Sequence, residues 1–165
     1  CHLEWTVARS DLAPWHPGRC AELIVNGKPV AHAGELHPRI VAAYGLPERS
    51  VAFAVALSAL PDSALVRPTT VGTMPAAVQD VALIVESTVS AADVEGALRA
   101  GAGDLLESIT LFDRYDKIGD GKISLAFTLV FRATDRTLTG EEVSAMREAA
   151  TAVAAAKFGA VVRTA

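Results

Sequence analysis

A chain of 165 residues, 51% apolar and 21% charged, holds enough core-forming material for one large globular domain or two small ones. No stretch near 18 consecutive apolar residues occurs, which excludes a membrane-spanning helix, and much of the apolar content is alanine. The net charge of −4 is unevenly placed: six basic and six acidic residues precede Gly72, while nine basic and thirteen acidic residues follow. That acidic balance argues against a generic nucleic-acid binder held by phosphate contacts.

The opening CHLEWTVARSDL lacks a charged-then-apolar signal pattern and reads as the interior of a longer chain. Cys1 and Cys20 are expected as reduced thiols, too few for a disulfide framework. Ala21–Val25 is strand-like, Asn26-Gly27 follows, and Pro29–Ala33 continues; Asn-Gly between two such runs predicts a hairpin, because both central residues must take positive φ. Pro38 suits the first turn of a short helix ending at Tyr44, with Gly45 as its C-terminal cap. Ser50–Leu57 is continuously apolar and predicts a strand buried on both faces. These pieces do not enclose a core, so residues 1–60 are expected to be the end of a larger antiparallel-sheet domain. Residues 61–74, PDSALVRPTTVGTM, mix proline, glycine and polar residues and read as a linker.

From residue 75 onward the order of elements is clean. Val78–Glu86 alternates as a strand, and Ser90 with Asp93 opens a helix through about Ala100, ended by Gly101 and Gly103. Leu105–Tyr115 is a second strand, and Asp116–Gly121 a turn with Asp120-Gly121 at its tip. In the third strand, Lys122–Arg132, Ile123, Leu125, Phe127, Leu129 and Phe131 face one way, and Lys122, Ser124, Ala126, Thr128 and Arg132 the other. Thr139 and Glu142 form a capping box before a long helix closed by Gly159, and Ala160–Arg163 is a last short strand. The order βαββαβ predicts an α+β, ferredoxin-like plait, with two helices on one sheet face and the other face left open.

Catalytic and metal chemistry find little support. His16 and Cys20 have a metal-compatible gap, and Cys1, His2, His32 and His37 lie in the same half, but no CxxC or HxxxH pair exists. Asp116–Gly121 faintly resembles a calcium loop, yet Ile118 and Phe127 occupy positions that need ligands. No Ser-His-Asp order, phosphate loop or nucleophile elbow occurs, and Glu107 with Asp113 does not make a convincing acid/base pair. No catalytic and no metal-binding residue is therefore expected.

One feature suits RNA. Tyr115 ends the second strand and can stack a base, Asp113 offers an acceptor two residues earlier, and Ser124 lies on the open face of the neighbouring strand. Arg114, Lys117, Lys122, Arg132 and Arg136 are expected to bring cations for phosphates to the same hairpin. The same residues also fit a half-buried strand tyrosine with a solubilising edge. Two other readings of such a plait stay open: a non-catalytic module binding a small-molecule regulator or a partner protein, and a small acylphosphatase-like enzyme, whose anion-binding loop is not found.

The run WHPGRCAELIVNGKPVAHAGELHPRIVAAYGLPERSVAFAVAL resembles the end of the catalytic-like module of bacterial phenylalanyl-tRNA synthetase β subunits. MPAAVQDVALIV, LLESITLFDRYD and GKISLAFTLVFRATDRTLTGEEV resemble that family's ferredoxin-fold anticodon-binding domain. The resemblance implies an inactive class II sheet over residues 1–60, a linker over 61–74 and an anticodon-binding domain over 75–165. By the match of LFDRY and SLAF, Asp113, Tyr115 and Ser124 fall on positions that the family uses to contact the anticodon. It further implies tRNA-Phe and an α subunit as partners in an (αβ)₂ ligase of the cytoplasm. ATP and Mg²⁺ would serve the whole enzyme, and no cofactor is expected in this chain. Two departures are visible: Gln79-Asp80 stands where many relatives have Arg-Asp, and GKISLAF carries one extra residue beside the turn.

Overall fold

A computed structural model describes residues 3–62 and 72–163, which belong to two compact units on either side of residues 63–71. Most of the expected linker lies outside the described residues.

The first unit is an antiparallel meander of β1 (Thr6–Ser10), β2 (Trp15–Val25), β3 (Lys28–Leu36) and β4 (Val51–Val55), paired in that order. A helix, α1 (Pro38–Tyr44), separates β3 from β4, and a single 3₁₀ turn follows at Leu57–Ala59. Asn26 and Gly27 take φ of 50° and 74°, the conformation that the hairpin requires. Strand β1 was not anticipated, and β2 begins at Trp15, because an irregularity between Trp15 and Cys20 carries the His16-Pro17-Gly18 stretch along β3. Gly34 permits this close passage: a Cβ there would strike the backbone of Arg19 and Cys20. Trp15 is buried, stacks on His32 and donates its indole N–H to the Ala52 carbonyl at 3.0 Å.

The expectation that Ser50–Leu57 is buried on both faces fails. Val51 and Phe53 are 75% and 77% exposed. β4 pairs only with β3 among the described strands, and α1 buries no residue, so neither element covers that face.

The second unit consists of β5 (Ala77–Glu86), α2 (Ala91–Ala102), β6 (Leu106–Gly119), β7 (Lys122–Phe131), α3 (Gly140–Phe158) and β8 (Val161–Val162). All sheet pairs are antiparallel, in the order β6-β7-β5-β8. This is the ferredoxin-like plait, and with two antiparallel sheets and three α-helices among the described residues the chain is α+β.

The alternation of β7 decides the layering. Ile123, Leu125, Phe127, Leu129 and Phe131 are buried with Val81, Leu83 and Val85 of β5 against Val94, Leu98, Val143, Ala150 and Ala154 of the helices. Large apolar side chains at every second position make one face the core by removing apolar area from water. Ser90 caps α2 by accepting from the Asp93 N–H at 3.1 Å. Thr139 and Glu142 form the reciprocal capping box of α3.

Two boundaries differ from expectation. Gly101 does not end α2, which is closed by Gly103. Gly101 lies where α2 crosses α3, and a Cβ there would come within 2.7 Å of the Ala149 carbonyl oxygen. Strand β6 continues to Gly119 through irregular register, so the turn shrinks to Asp120 and Gly121, at φ of 52° and 70°.

Candidate nucleic-acid interface

The open sheet face is built from the residues of β5, β6 and β7 that alternate with the core. Across it, Tyr115 of β6, Ser124 of β7 and Ile84 of β5 form one row, and Asp113, Ala126 and Ala82 form the next. Paired residues on adjacent strands point to the same face, so Asp113, Tyr115 and Ser124 share one side of the sheet. A third row sets Thr128 against Asp80, and the Thr128 hydroxyl donates to the Asp80 carboxylate at 2.6 Å.

Small residues on the central strand make this face a trough. Ser124 is only 3% exposed and Ala126 8%, whereas Tyr115 on the outer strand is 43% exposed and Asp113 is exposed. Ser124 thus lies on the expected face but is not an open contact point, because larger neighbours on both sides shield its short side chain. Tyr115 rises beside it with the Arg163 guanidinium carbon 5.7 Å from its ring centroid. Arg163 was not a candidate from the sequence, where its only signal is an arginine two residues after Val161 in a terminal strand.

The expected cations separate into two groups. Arg114, Lys117 and Lys122 do lie at the β6–β7 hairpin, where Arg114 and Lys122 line a shallow cleft with Ser87, Gly119 and Gly121. Arg114 pairs with Leu125, a core residue, and so emerges on the face opposite Tyr115, with its guanidinium 2.8 Å from Asp116. Arg132 and Arg136 are not at the hairpin. They follow the far end of β7, about 30 Å away at the rise of an extended strand. Arg132 is paired with Glu107 and the Met74 carbonyl, and Arg136 with Glu142 at 2.7 Å. Arg136, with the Thr139 N–H and hydroxyl, holds the Glu142 carboxyl down to about 2. Both arginines therefore brace the fold: Arg132 ties Glu107 of β6 to Met74 ahead of β5, and Arg136 reinforces the α3 cap.

Gln79, on the core-side register of β5, accepts from Arg147 of α3 at 3.4 Å. The position thus ties sheet to helix and does not reach the open face. In the first unit, Nδ1 of His16 and of His37 accepts the backbone N–H of Gly18 and of Arg39. Glu35 bridges Arg19 and Arg49, which hold its carboxyl below the ordinary range. Among the described residues no group of three His, Cys, Asp or Glu side chains is placed to hold a metal ion.

Residues 72–163 match the family model described as the ferredoxin-fold anticodon binding domain, and residues 1–57 match that of the phenylalanyl tRNA synthetase beta chain CLM domain. The chain is 52% identical over 164 residues to the phenylalanine–tRNA ligase beta subunit of Corynebacterium jeikeium, covering 98% of this chain and 19% of that protein. It is 51% identical to the beta subunit of Streptomyces avermitilis, over 98% of this chain and 20% of the relative. With that of Mycobacterium leprae it shares 47% identity, over 92% of this chain and 18% of the relative. The chain spans about a fifth of the length of these relatives. On both domain matches and these identities, the chain belongs to the phenylalanine–tRNA ligase beta-subunit family.

Proposed function

We propose that the second unit reads the anticodon of tRNA-Phe, as the tRNA-binding end of a phenylalanine–tRNA ligase β chain. The observation that carries this reading is the half-exposed Tyr115 beside the exposed Asp113 on the open face of a domain matched to an anticodon-binding family. An exposed ring offers stacking that every base accepts, and a carboxylate two residues away on the same face supplies an acceptor for a base-edge N–H. Ser124 shapes the floor beneath them, and its small size leaves room for a base to approach the Tyr115 ring. Lys122 and Lys117 supply phosphate contacts at the hairpin, and Arg114 does so from the other side of the edge strand.

Under this proposal the ligase works in the cytoplasm as an (αβ)₂ assembly, and the α subunit attaches phenylalanine using ATP and Mg²⁺. No catalytic step is assigned to this chain, which alone is expected to make no phenylalanyl adenylate. The test is equilibrium binding of the 165-residue chain to the tRNA-Phe anticodon stem-loop and to anticodon-swapped stem-loops. Preference for the Phe anticodon is expected, with Tyr115→Ala weakening binding by about 1–3 kcal/mol. Equal affinity for all anticodons would refute base reading.

A further inference from the structure

The third row of the open face differs from its neighbours. It sets Thr110 of β6, Thr128 of β7 and Asp80 of β5 side by side, so every position carries a hydrogen-bonding group. In the next row Val130 and Val78 take the two inner strands, with Val78 58% exposed. Asp80 is exposed, and the ion pairs of this unit engage Glu95, Asp116, Glu107, Glu142 and Glu148 instead. Its Oδ1 accepts the Thr128 hydroxyl at 2.6 Å, which holds the carboxylate against β7, and Oδ2 has no partner among the described residues. An ionised carboxylate offers about four acceptor sites, so one bond within the sheet leaves most of them to a ligand.

A carboxylate accepts only certain parts of an RNA strand. Phosphates carry negative charge and are repelled. The amino groups on the edges of adenine, guanine and cytosine donate N–H bonds that it can take, and uracil has no such group. Asp80 lies two rows from Tyr115, four residues or about 14 Å along the strands, so a base stacked on Tyr115 does not also reach it. Asp113, one row from Tyr115, is the acceptor for that first base. We propose that Asp80 is a second acceptor of this face, which takes the amino group of another nucleobase, and that Thr128 is the positioning residue that orients it. The inference rests on the reading of this face as an anticodon site and adds to it a specificity-determining residue for a second base.

The test titrates the 165-residue chain with the Phe anticodon stem-loop and with stem-loops in which one anticodon base at a time is replaced by the same base lacking only its amino group. With the wild type, one such exchange, at a position other than the one governed by Asp113→Asn, should cost about tenfold in affinity, the lower end for a hydrogen bond to a charged group. Asp80→Ala should weaken the parent stem-loop by about the same tenfold and make that exchange silent. Asp80→Asn keeps the volume and the far-UV dichroism, carries the test if the alanine variant does not fold, and should likewise lose the discrimination. Thr128→Val should lose part of it at the same position. Equal weakening of every stem-loop by Asp80→Ala, with discrimination kept, makes Asp80 a structural group and overturns the proposal. Equal strengthening makes it only a repeller of phosphates, and unchanged affinities leave it no contact; either result overturns the proposal too. A wild-type chain that binds no stem-loop, or binds all anticodons alike, overturns the anticodon reading itself. A wild-type preference that Asp80→Ala and Asp80→Asn leave intact overturns the second acceptor alone.

Discussion

Two glycines in α2 allow the packing behind the open face to be weighed against helix propensity. At Gly96 an added Cβ meets nothing within 4 Å, so Gly96→Ala gains only the helical preference of alanine, about 1 kcal/mol. At Gly101 the same atom would sit 2.7 Å from the Ala149 carbonyl oxygen and 2.8 Å from the Ala150 Cα. Both are backbone atoms of α3 and cannot swing aside. Restoring an ordinary 3.4 Å contact asks the helices to part by about 0.6–0.7 Å in a close-packed layer. Overpacking of this kind costs about 1–3 kcal/mol, which cancels or exceeds the propensity gain. Gly101→Ala should therefore be less stable than Gly96→Ala by about 1–3 kcal/mol. Urea unfolding followed by far-UV circular dichroism reports the second unit, because both long helices lie there, while Trp5 and Trp15 report the first by fluorescence. The comparison is valid if both variants keep the wild-type denaturant slope. If Gly101→Ala is as stabilising as Gly96→Ala, the close α2–α3 approach does not exist.

Three further outcomes follow from the geometry. Lys122→Ala should lower the salt slope of stem-loop binding by about 1, while Arg136→Ala should leave it unchanged, because Arg136 is engaged with Glu142 far from the hairpin. Glu142 titrates near 2 in the folded chain, below the ordinary carboxylate value of 4.5, so its stabilisation is complete above about 4.5 and is lost as pH falls through about 2. The urea-midpoint difference between wild type and Glu142→Gln should accordingly shrink across that interval, and a constant difference would contradict the capping-box pairing. Leu125→Ala, at a fully buried position of the central strand, should cost about 2–5 kcal/mol by the same dichroism assay.

The parts of the fold legible in the sequence are those fixed by neighbours along the chain. The period-two pattern of Lys122–Phe131 orients the whole second sheet, and the pairs Ser90/Asp93 and Thr139/Glu142 mark both long helices, because caps and alternation act over four residues or fewer. Features set across strands were not legible. Ser124 looks like an open-face polar residue, but its burial depends on Tyr115 and Ile84, which are distant in sequence. Arg132 and Arg136 look like hairpin cations until the length of β7 carries them to the other end. Gly101 reads as a helix stop because only the crossing of α3 gives a mid-helix glycine a use. No element is read over His16-Pro17-Gly18, because the irregularity that keeps this stretch along β3 has no local signature. The apolar Ser50–Leu57 run fits a central strand and an edge strand equally well, and the difference lies in what covers it.

Strand β8 has a consequence for how the second unit is made. It holds only Val161 and Val162, pairing with Ile84 and Leu83 across nearly the full length of the unit. During synthesis β5 emerges early and β8 last, so the outer edge of β5 stays unpaired while α2, β6, β7 and α3 are completed. Exposed apolar strand edges invite pairing with other chains, and contacts distant in sequence form late. Val161 and Val162 therefore cover the edge of β5 at Leu83 and Ile84, and a chain released before Val161 would leave that stretch open to pairing.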